Sequence, residues 1–270
     1  MSDIKIGIVG AAGRMGQTLV REALITKNCR LVGGVERAGA SALGLDLGSC
    51  AGIDALGISI DDDPITLFSE ADVVIDFSTP DAAVAFSQLA AERKCAYVVG
   101  TTGLDARHLA ALGAAGHQAA VVQAYNMSLG VNLLAALVER VAAALDADFD
   151  IEIVEMHHRQ KIDAPSGTAL MLGDAAARGR GVELSAAAVR GRDGVTGPRP
   201  RGGIGFASLR GGNVAGDHKI IFAADDERIE LTHKAGNRAI FARGAIKAAI
   251  WAQAQPPGLY SMADVLGLKP

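Results

Sequence analysis

Ile4-Lys-Ile-Gly-Ile-Val-Gly10-Ala-Ala-Gly13-Arg-Met-Gly16 decides the fold of the first half of the chain. Ile4–Val9 is a short apolar run with the character of a buried strand, and Gly13–Thr26 has helical character. Between them, Gly10 allows a tight turn out of the strand. Gly13 lets backbone N–H groups approach an anion, and Gly16 lets the helix lie close on the sheet. The next strand, Leu31–Glu36, ends in an acid 23 residues after Gly13. The glycine spacing, GxxGxxG, is a weak signal alone. Strand, turn, helix and a terminal acid together read as a cradle for the pyrophosphate of a nicotinamide dinucleotide, lined by Gly10, Ala11, Ala12, Gly13, Arg14 and Met15. Glu36 suits a ribose diol, which favours NADH. Its neighbour Arg37 suits a 2′-phosphate, which favours NADPH.

Outward from this unit, Val73–Phe77, Ala96–Val99 and Ala120–Gln123 are further apolar strands. Alanine-rich helical stretches, Asp81–Arg93 and Asp105–His117, lie between them. This alternation predicts a parallel sheet covered on both faces, an α/β Rossmann-type domain. Ligands of such sheets sit beyond the carboxyl ends of the strands. That places Gly100, Thr101 and Thr102, and then Ala124, Tyr125, Asn126 and Met127, as further cofactor contacts, with Phe77–Pro80 a weaker candidate.

The grammar changes after residue 128. Leu129–Leu145 has a helical period in its apolar residues. Asp150–His157 reads as a strand, Ser166–Arg178 as a helix entered through Pro165, and Arg190–Gly203 as a loop rich in Gly, Pro and Arg. Ile204–Arg210, Lys219–Ala223 and Arg228–His233 follow as successive strands, so a second, α+β domain with an antiparallel or mixed sheet is expected. Ala239–Gln253 is a last amphipathic helix before a Pro-Pro break and a short tail.

With 270 residues, half of them hydrophobic, the chain is long enough for one large or two smaller domains. A net charge of −4 argues against nucleic acid or an anionic membrane as partner. No export signal or spanning segment is visible, so a soluble, cytoplasmic protein is the expectation. The three cysteines, Cys29, Cys50 and Cys95, lack metal-ligand spacing and read as small buried hydrophobes.

Glu155-Met-His-His-Arg-Gln-Lys-Ile-Asp-Ala-Pro-Ser-Gly-Thr168 is the chemically densest run. His157 and Lys161 are candidate proton donors whose cationic neighbours can move their pKa values. Ser166, Gly167 and Thr168 open a helix, where hydroxyls and unpaired N–H groups make an anion site suited to a small carboxylate. No metal is expected: adjacent residues on a strand point to opposite faces, so His157 and His158 are poorly placed to share one.

These stretches resemble the 4-hydroxy-tetrahydrodipicolinate reductase (dihydrodipicolinate reductase) family. The likeness rests on Gly10–Gly16, Glu36-Arg37, Gly100–Gly103 and Ala124–Asn126. It rests above all on Glu155–Ala169, with Gly205–Ala207 and Leu231–Ala235 downstream. It spans nearly the whole chain. It implies reduction of 4-hydroxy-tetrahydrodipicolinate, via its dehydrated imine form, to tetrahydrodipicolinate by hydride from NADH or NADPH, in the diaminopimelate route to lysine. By resemblance, His157 is the proton donor/acceptor and Lys161 a proton donor, while His158, Gly167 and Thr168, with Ser166 beside them, bind a small cyclic dicarboxylate. A dinucleotide-binding domain of residues 1–127 plus 239–270, a substrate-binding and tetramerisation domain of 128–238, and a homotetramer are also implied. Within it, the Arg190–Gly203 loop would be able to reach a neighbouring subunit. Gln160 stands where some relatives carry a further His, so that position is not an essential proton carrier. Ser78–Pro80 lacks an Arg that some members place there, leaving Arg37 the main candidate for a 2′-phosphate. The competing readings are a different dehydrogenase on the same two-domain plan, such as an aldehyde or amino-acid dehydrogenase, whose thiohemiacetal route would need an activated Cys in the crevice, and a non-catalytic cofactor-sensing module, which would have no use for a His/Lys pair beside an anion-binding helix start.

Overall fold

The computed structural model describes residues 3–268. The chain forms two compact units, one running to Leu129 and resuming at Arg238, the other spanning Gly130–Asn237.

The first unit contains β1 (Ile4–Val9), α1 (Arg14–Ile25), β2 (Cys29–Val35), α2 (Leu47–Cys50), β3 (Ile60–Asp61), α3 (Pro64–Glu70), β4 (Val73–Asp76), α4 (Pro80–Arg93), β5 (Ala96–Val99), α5 (Ala106–Ala115) and β6 (Ala120–Gln123). Its strands are rich in Val and Ile; β4 and β5 are buried at every position, as a sheet covered on both faces requires. All pairings are parallel. The order, β12-β6-β5-β4-β1-β2-β3, reverses direction between β1 and β4, the switch point at which such sheets hold ligands. One face packs on Leu19, Val20 and Ala23 of α1 and on the alanine-rich side of α9. The other packs on Leu67, Phe68, Ala83 and Leu112 of α3, α4 and α5. The returning segment supplies α9 (Ala239–Ala252), β12 (Gly258–Tyr260) and α10 (Met262–Val265). Arg243 of α9 is ion-paired to Glu22 of α1 at 3.1 Å.

The second unit contains α6 (Leu129–Ala144, beginning at the boundary), β7 (Asp150–His157), α7 (Gly167–Arg180), α8 (Leu184–Ala187), β8 (Ala188–Val189), β9 (Ile204–Arg210), β10 (Asp217–Ala223) and β11 (Arg228–Lys234). Its strand order is β11-β10-β7-β9-β8. β10 runs antiparallel to β7 and β11, while β7, β9 and β8 are mutually parallel neighbours, so the sheet is mixed. Burial alternates strictly along β7 and β10, the period-2 signature of a sheet packed on one face. Ile151, Ile153, Phe206, Ile220 and Phe222 meet Leu134 and Val138 of α6 and Leu172, Ala175 and Ala176 of α7. Among the described residues no helix is long and apolar enough to cross a membrane.

Two local expectations change. The tail after Pro257 is not irregular: Gly258–Tyr260 adds a seventh strand, beside β6. Ser166 is not in the first turn of α7 but is its N-cap, with extended backbone and a side chain that accepts from the Ala169 N–H; Pro165 lies one residue further out. Such a cap satisfies a donor that the helix itself leaves open. Three of the four arginines of the 190–203 loop pair within the chain: Arg192 and Arg199 both reach Glu152, Arg199 also Asp150, and Arg201 pairs with Asp148.

Candidate active site

In the first unit the glycine turn is fixed from beneath. The N–H groups of Gly10 and Ala11 donate to the Val35 carbonyl at 2.9 and 3.2 Å. Gly10 has φ +69°, open to glycine without strain. A Cβ at Gly16 would collide with the carbonyl oxygens of Gly10 and Ala11, so α1 lies against the turn only because that position is bare. Gly13 is the N-cap of α1, which starts without a side-chain cap and without an acid in its first turn. Uncapped N–H groups at a helix N-terminus fit the pyrophosphate of a dinucleotide. Glu36 follows β2 directly, and its Oε1 accepts the Ala12 N–H at 3.0 Å. The acid therefore braces the turn with one oxygen. Arg37 is exposed.

The other expected cofactor residues follow the carboxyl ends of β5 and β6. Gly100 packs on the Phe77 ring where a Cβ would clash. Thr101 is 3 % exposed and donates to Asp76 at 3.4 Å, while Thr102 is exposed. Ala124 N–H bonds the Val99 carbonyl, Tyr125 is exposed, and Asn126 Oδ1 accepts the Ser128 N–H at 2.8 Å. Met127 is a core side chain, so it offers a ligand only its backbone. The hub of these loops, Asp76, was not legible in the sequence as more than a strand end. It is fully buried, accepts from Tyr97 and from the Ser78 N–H, and its pKa is raised by burial against those hydrogen bonds.

In the second unit the alternation of β7 puts Glu155 and His157 on the same face as Ile151 and Ile153. The apolar half lies under the helices and the polar half beside the start of α7. His157 Nδ1 lies 2.6 Å from Glu155 Oε2. Arg210, at the end of β9, grips the same carboxylate with both terminal nitrogens, at 2.8 and 2.9 Å. The Ser166 N–H reaches its other oxygen at 3.2 Å. Burial would raise the Glu155 pKa, but hydrogen bonds from Arg210, His157 and Ser208 outweigh it and hold the carboxyl at about 2. Ser166 Oγ is 3.0 Å from His218 Nε2, and the His218 ring stands edge-on to His157, centroids 5.1 Å apart. Burial, then the nearby His157, push His218 down to about 4.

His158 is half-buried, its backbone tied to Val214 and Lys161. The Lys161 ammonium sits 2.9 Å from Asp163, and its hydrogen bond lowers the Asp163 pKa. Arg210 also donates to the Asp163 carbonyl at 2.6 Å, so one guanidinium secures both Glu155 and the loop carrying Lys161. Gly167 is exposed and Thr168 half-buried in the first turn of α7. No group of three or more His, Cys, Asp or Glu able to hold a metal occurs among the described residues.

Comparison with known proteins decides the family. Residues 4–127 match the model described as dihydrodipicolinate reductase, N-terminus, and residues 130–266 the model described as dihydrodipicolinate reductase, C-terminus. The chain belongs to the dihydrodipicolinate reductase family. It is 57% identical over 269 residues to a 4-hydroxy-tetrahydrodipicolinate reductase of Cereibacter sphaeroides, covering 99% of this chain and 100% of that one. It is 57% identical over 267 residues to 4-hydroxy-tetrahydrodipicolinate reductase 1 of Mesorhizobium japonicum, covering 98% of each. A solved dipicolinate-bound dihydrodipicolinate reductase of Paenisporosarcina sp. TG-14 shares the fold, with TM-score 0.74 at 24% identity over 97% of this chain and 98% of that one.

Within this reductase, thiol chemistry has no support. Cys95 is buried and its thiol is pushed up to about 12 by burial, with Asp72 adding to the effect; Cys29 is also raised, mainly by burial. A nucleophilic Cys requires the opposite shift. With Asp76, Arg210 and His218 are the residues of the candidate site that the sequence did not announce. The usable signal was alternation: His218 shares the inward phase of Ile220 and Phe222.

Proposed function

We propose that His157 is the proton-handling group of this reductase and that the α7 turn holds a carboxylate of its substrate. The enzyme reduces 4-hydroxy-tetrahydrodipicolinate, through its dehydrated form, to tetrahydrodipicolinate with NADH or NADPH. Water leaves, and one hydride and one proton enter the ring. When bound, the reduced nicotinamide supplies the hydride; the uncapped start of α1 holds its pyrophosphate, with Glu36 and Arg37 at the adenosine ribose.

Negative charge builds on the conjugated ring as hydride arrives, and a positioned acid must neutralise it. His157 does so from Nε2, since Nδ1 is committed to Glu155. Lys161 adds a second acid and a local positive field once a substrate carboxylate competes for its ammonium with Asp163. The N–H groups of the α7 first turn, with the Thr168 hydroxyl and His158 beside them, receive a carboxylate. General acids of this kind contribute about 10²–10⁴-fold. The carrying observation is that one carboxylate, Glu155, bonds both His157 and Ser166, so the imidazole and the anion-binding turn share an anchor. The Paenisporosarcina relative's dipicolinate, a planar cyclic dicarboxylate, agrees with the substrate class.

The proposal extends to a cytoplasmic homotetramer in the diaminopimelate route to lysine, with the second unit as its contact and the first as the dinucleotide-binding domain. Family resemblance supports this. So does the sheet face turned away from α6 and α7, which carries Val154, Met156, Leu209 and Ile221. The test is a coupled assay generating the substrate from pyruvate and aspartate semialdehyde. Substrate-dependent oxidation of NADH and NADPH is expected, with turnover lowered in Lys161→Ala. No oxidation of either cofactor would refute the reading.

A further inference from the structure

We infer that Glu155 and Arg210 are positioning residues that fix the Nδ1–H tautomer of His157 and set the pH at which it gives up its proton. The inference rests on the proposed role of His157.

Three contacts carry it. An ionised carboxylate only accepts, so the 2.6 Å contact to Oε2 makes His157 Nδ1 the donor. When His157 loses its other proton, the neutral ring is already the Nδ1–H form, and neither protonation state needs the ring to turn. Next, Glu155 is 1 % exposed, so a fixed cation rather than bulk water must orient its two oxygens. Arg210 supplies that cation through two parallel hydrogen bonds. Last, the imidazole occupies space that a side chain at 216 would need: a Cβ there would stand 3.0 Å from His157 Nε2 and 3.4 Å from Cδ2, so glycine is what admits the ring in this place, and the His218 ring stands edge-on beside it. The other titratable groups around the pair are Lys161 and Asp163 in the loop before α7, and His233, across β10 from Glu155.

The two residues act on the imidazolium with opposite sign. Glu155→Gln removes the anion that stabilises it, so the imidazolium gives up its proton more readily. Arg210→Met removes a competing cation and leaves the anion, so the imidazolium holds its proton more tightly. A purely structural brace predicts no such opposition.

The experiment is a ¹⁵N-histidine NMR titration of the full chain, with His157 assigned by the signal lost in His157→Gln. It runs beside kcat–pH profiles and cofactor Kd for wild type, Glu155→Gln and Arg210→Met. The expected result is an Nδ1–H neutral tautomer in wild type. The His157 titration and the alkaline limb of kcat should move to lower pH in Glu155→Gln and to higher pH in Arg210→Met, with cofactor Kd unchanged. An Nε2–H tautomer in wild type, or shifts of the same sign, would overturn the inference. The wild-type tautomer keeps the test decisive even where a variant does not fold. If the NMR shifts appear and the kcat limb stays put, His157 is positioned as inferred and its proposed role in proton transfer is what fails.

Discussion

Ser166 Oγ and His218 Nε2 lie 3.0 Å apart, joining the cap of α7 to the middle strand pair of the second sheet. His218 is 4 % exposed, and burial pushes its pKa from an ordinary 6.5 to about 4. The folded state therefore binds this proton less readily than the unfolded chain. The stabilisation is complete above pH 6.5 and is lost as pH falls towards 4, by roughly 2–3 kcal/mol across that window. Urea unfolding at pH 7.5 and at pH 5 checks it. Wild type should be clearly less stable at the lower pH, while His218→Phe, which cannot titrate, should show a much smaller difference. Parallel losses in both would assign the acid sensitivity elsewhere.

Gly16→Ala tests the cradle. Its Cβ would meet backbone carbonyls of Gly10 and Ala11, which cannot rotate away as a side chain can. The expected outcome is a destabilisation of about 1–3 kcal/mol and a large loss of affinity for both cofactors. Thermal unfolding with and without NADPH reads both. An unchanged melting temperature with normal cofactor protection would mean that α1 does not need to lie this close.

Arg37→Ala tests cofactor choice. Arg37 is exposed, whereas Glu36 has one oxygen tied to the Ala12 N–H. Loss of Arg37 should weaken NADPH about tenfold, as for a charged phosphate contact of 1.5–3 kcal/mol partly screened by solvent, and leave NADH nearly unchanged. Calorimetric Kd values for the two cofactors measure it. Equal weakening would remove Arg37 from 2′-phosphate recognition.

Much of the first unit was legible because its signals are local. Ile4–Val9, Val73–Asp76, Ala96–Val99 and Ala120–Gln123 are short, mainly apolar runs, and Gly10, Gly13 and Gly16 mark a turn that few other residues would build. β12 was not legible: three residues between Pro257 and Ser261 gain strand geometry only by pairing with β6. In the second unit the strands were readable by their alternation but their order was not, because β9 inserts beside β7 rather than beside β10. The site followed the same division. His157, Lys161 and the Ser166–Thr168 turn sit in one contiguous run. Arg210 meets Glu155 from 55 residues downstream, a contact that only strand register creates. Three arginines of the Arg190–Gly203 loop likewise answer Asp148, Asp150 and Glu152 across the fold, pairings that sequence spacing does not announce.

The central claim is that His157 handles the proton of the reduction. The most direct test is kcat of His157→Gln in the coupled assay, with NADPH Kd measured on the same preparation. A fall in kcat of about 10²–10⁴-fold with Kd unchanged is the predicted result. A wild-type kcat in the folded, cofactor-binding variant would contradict it.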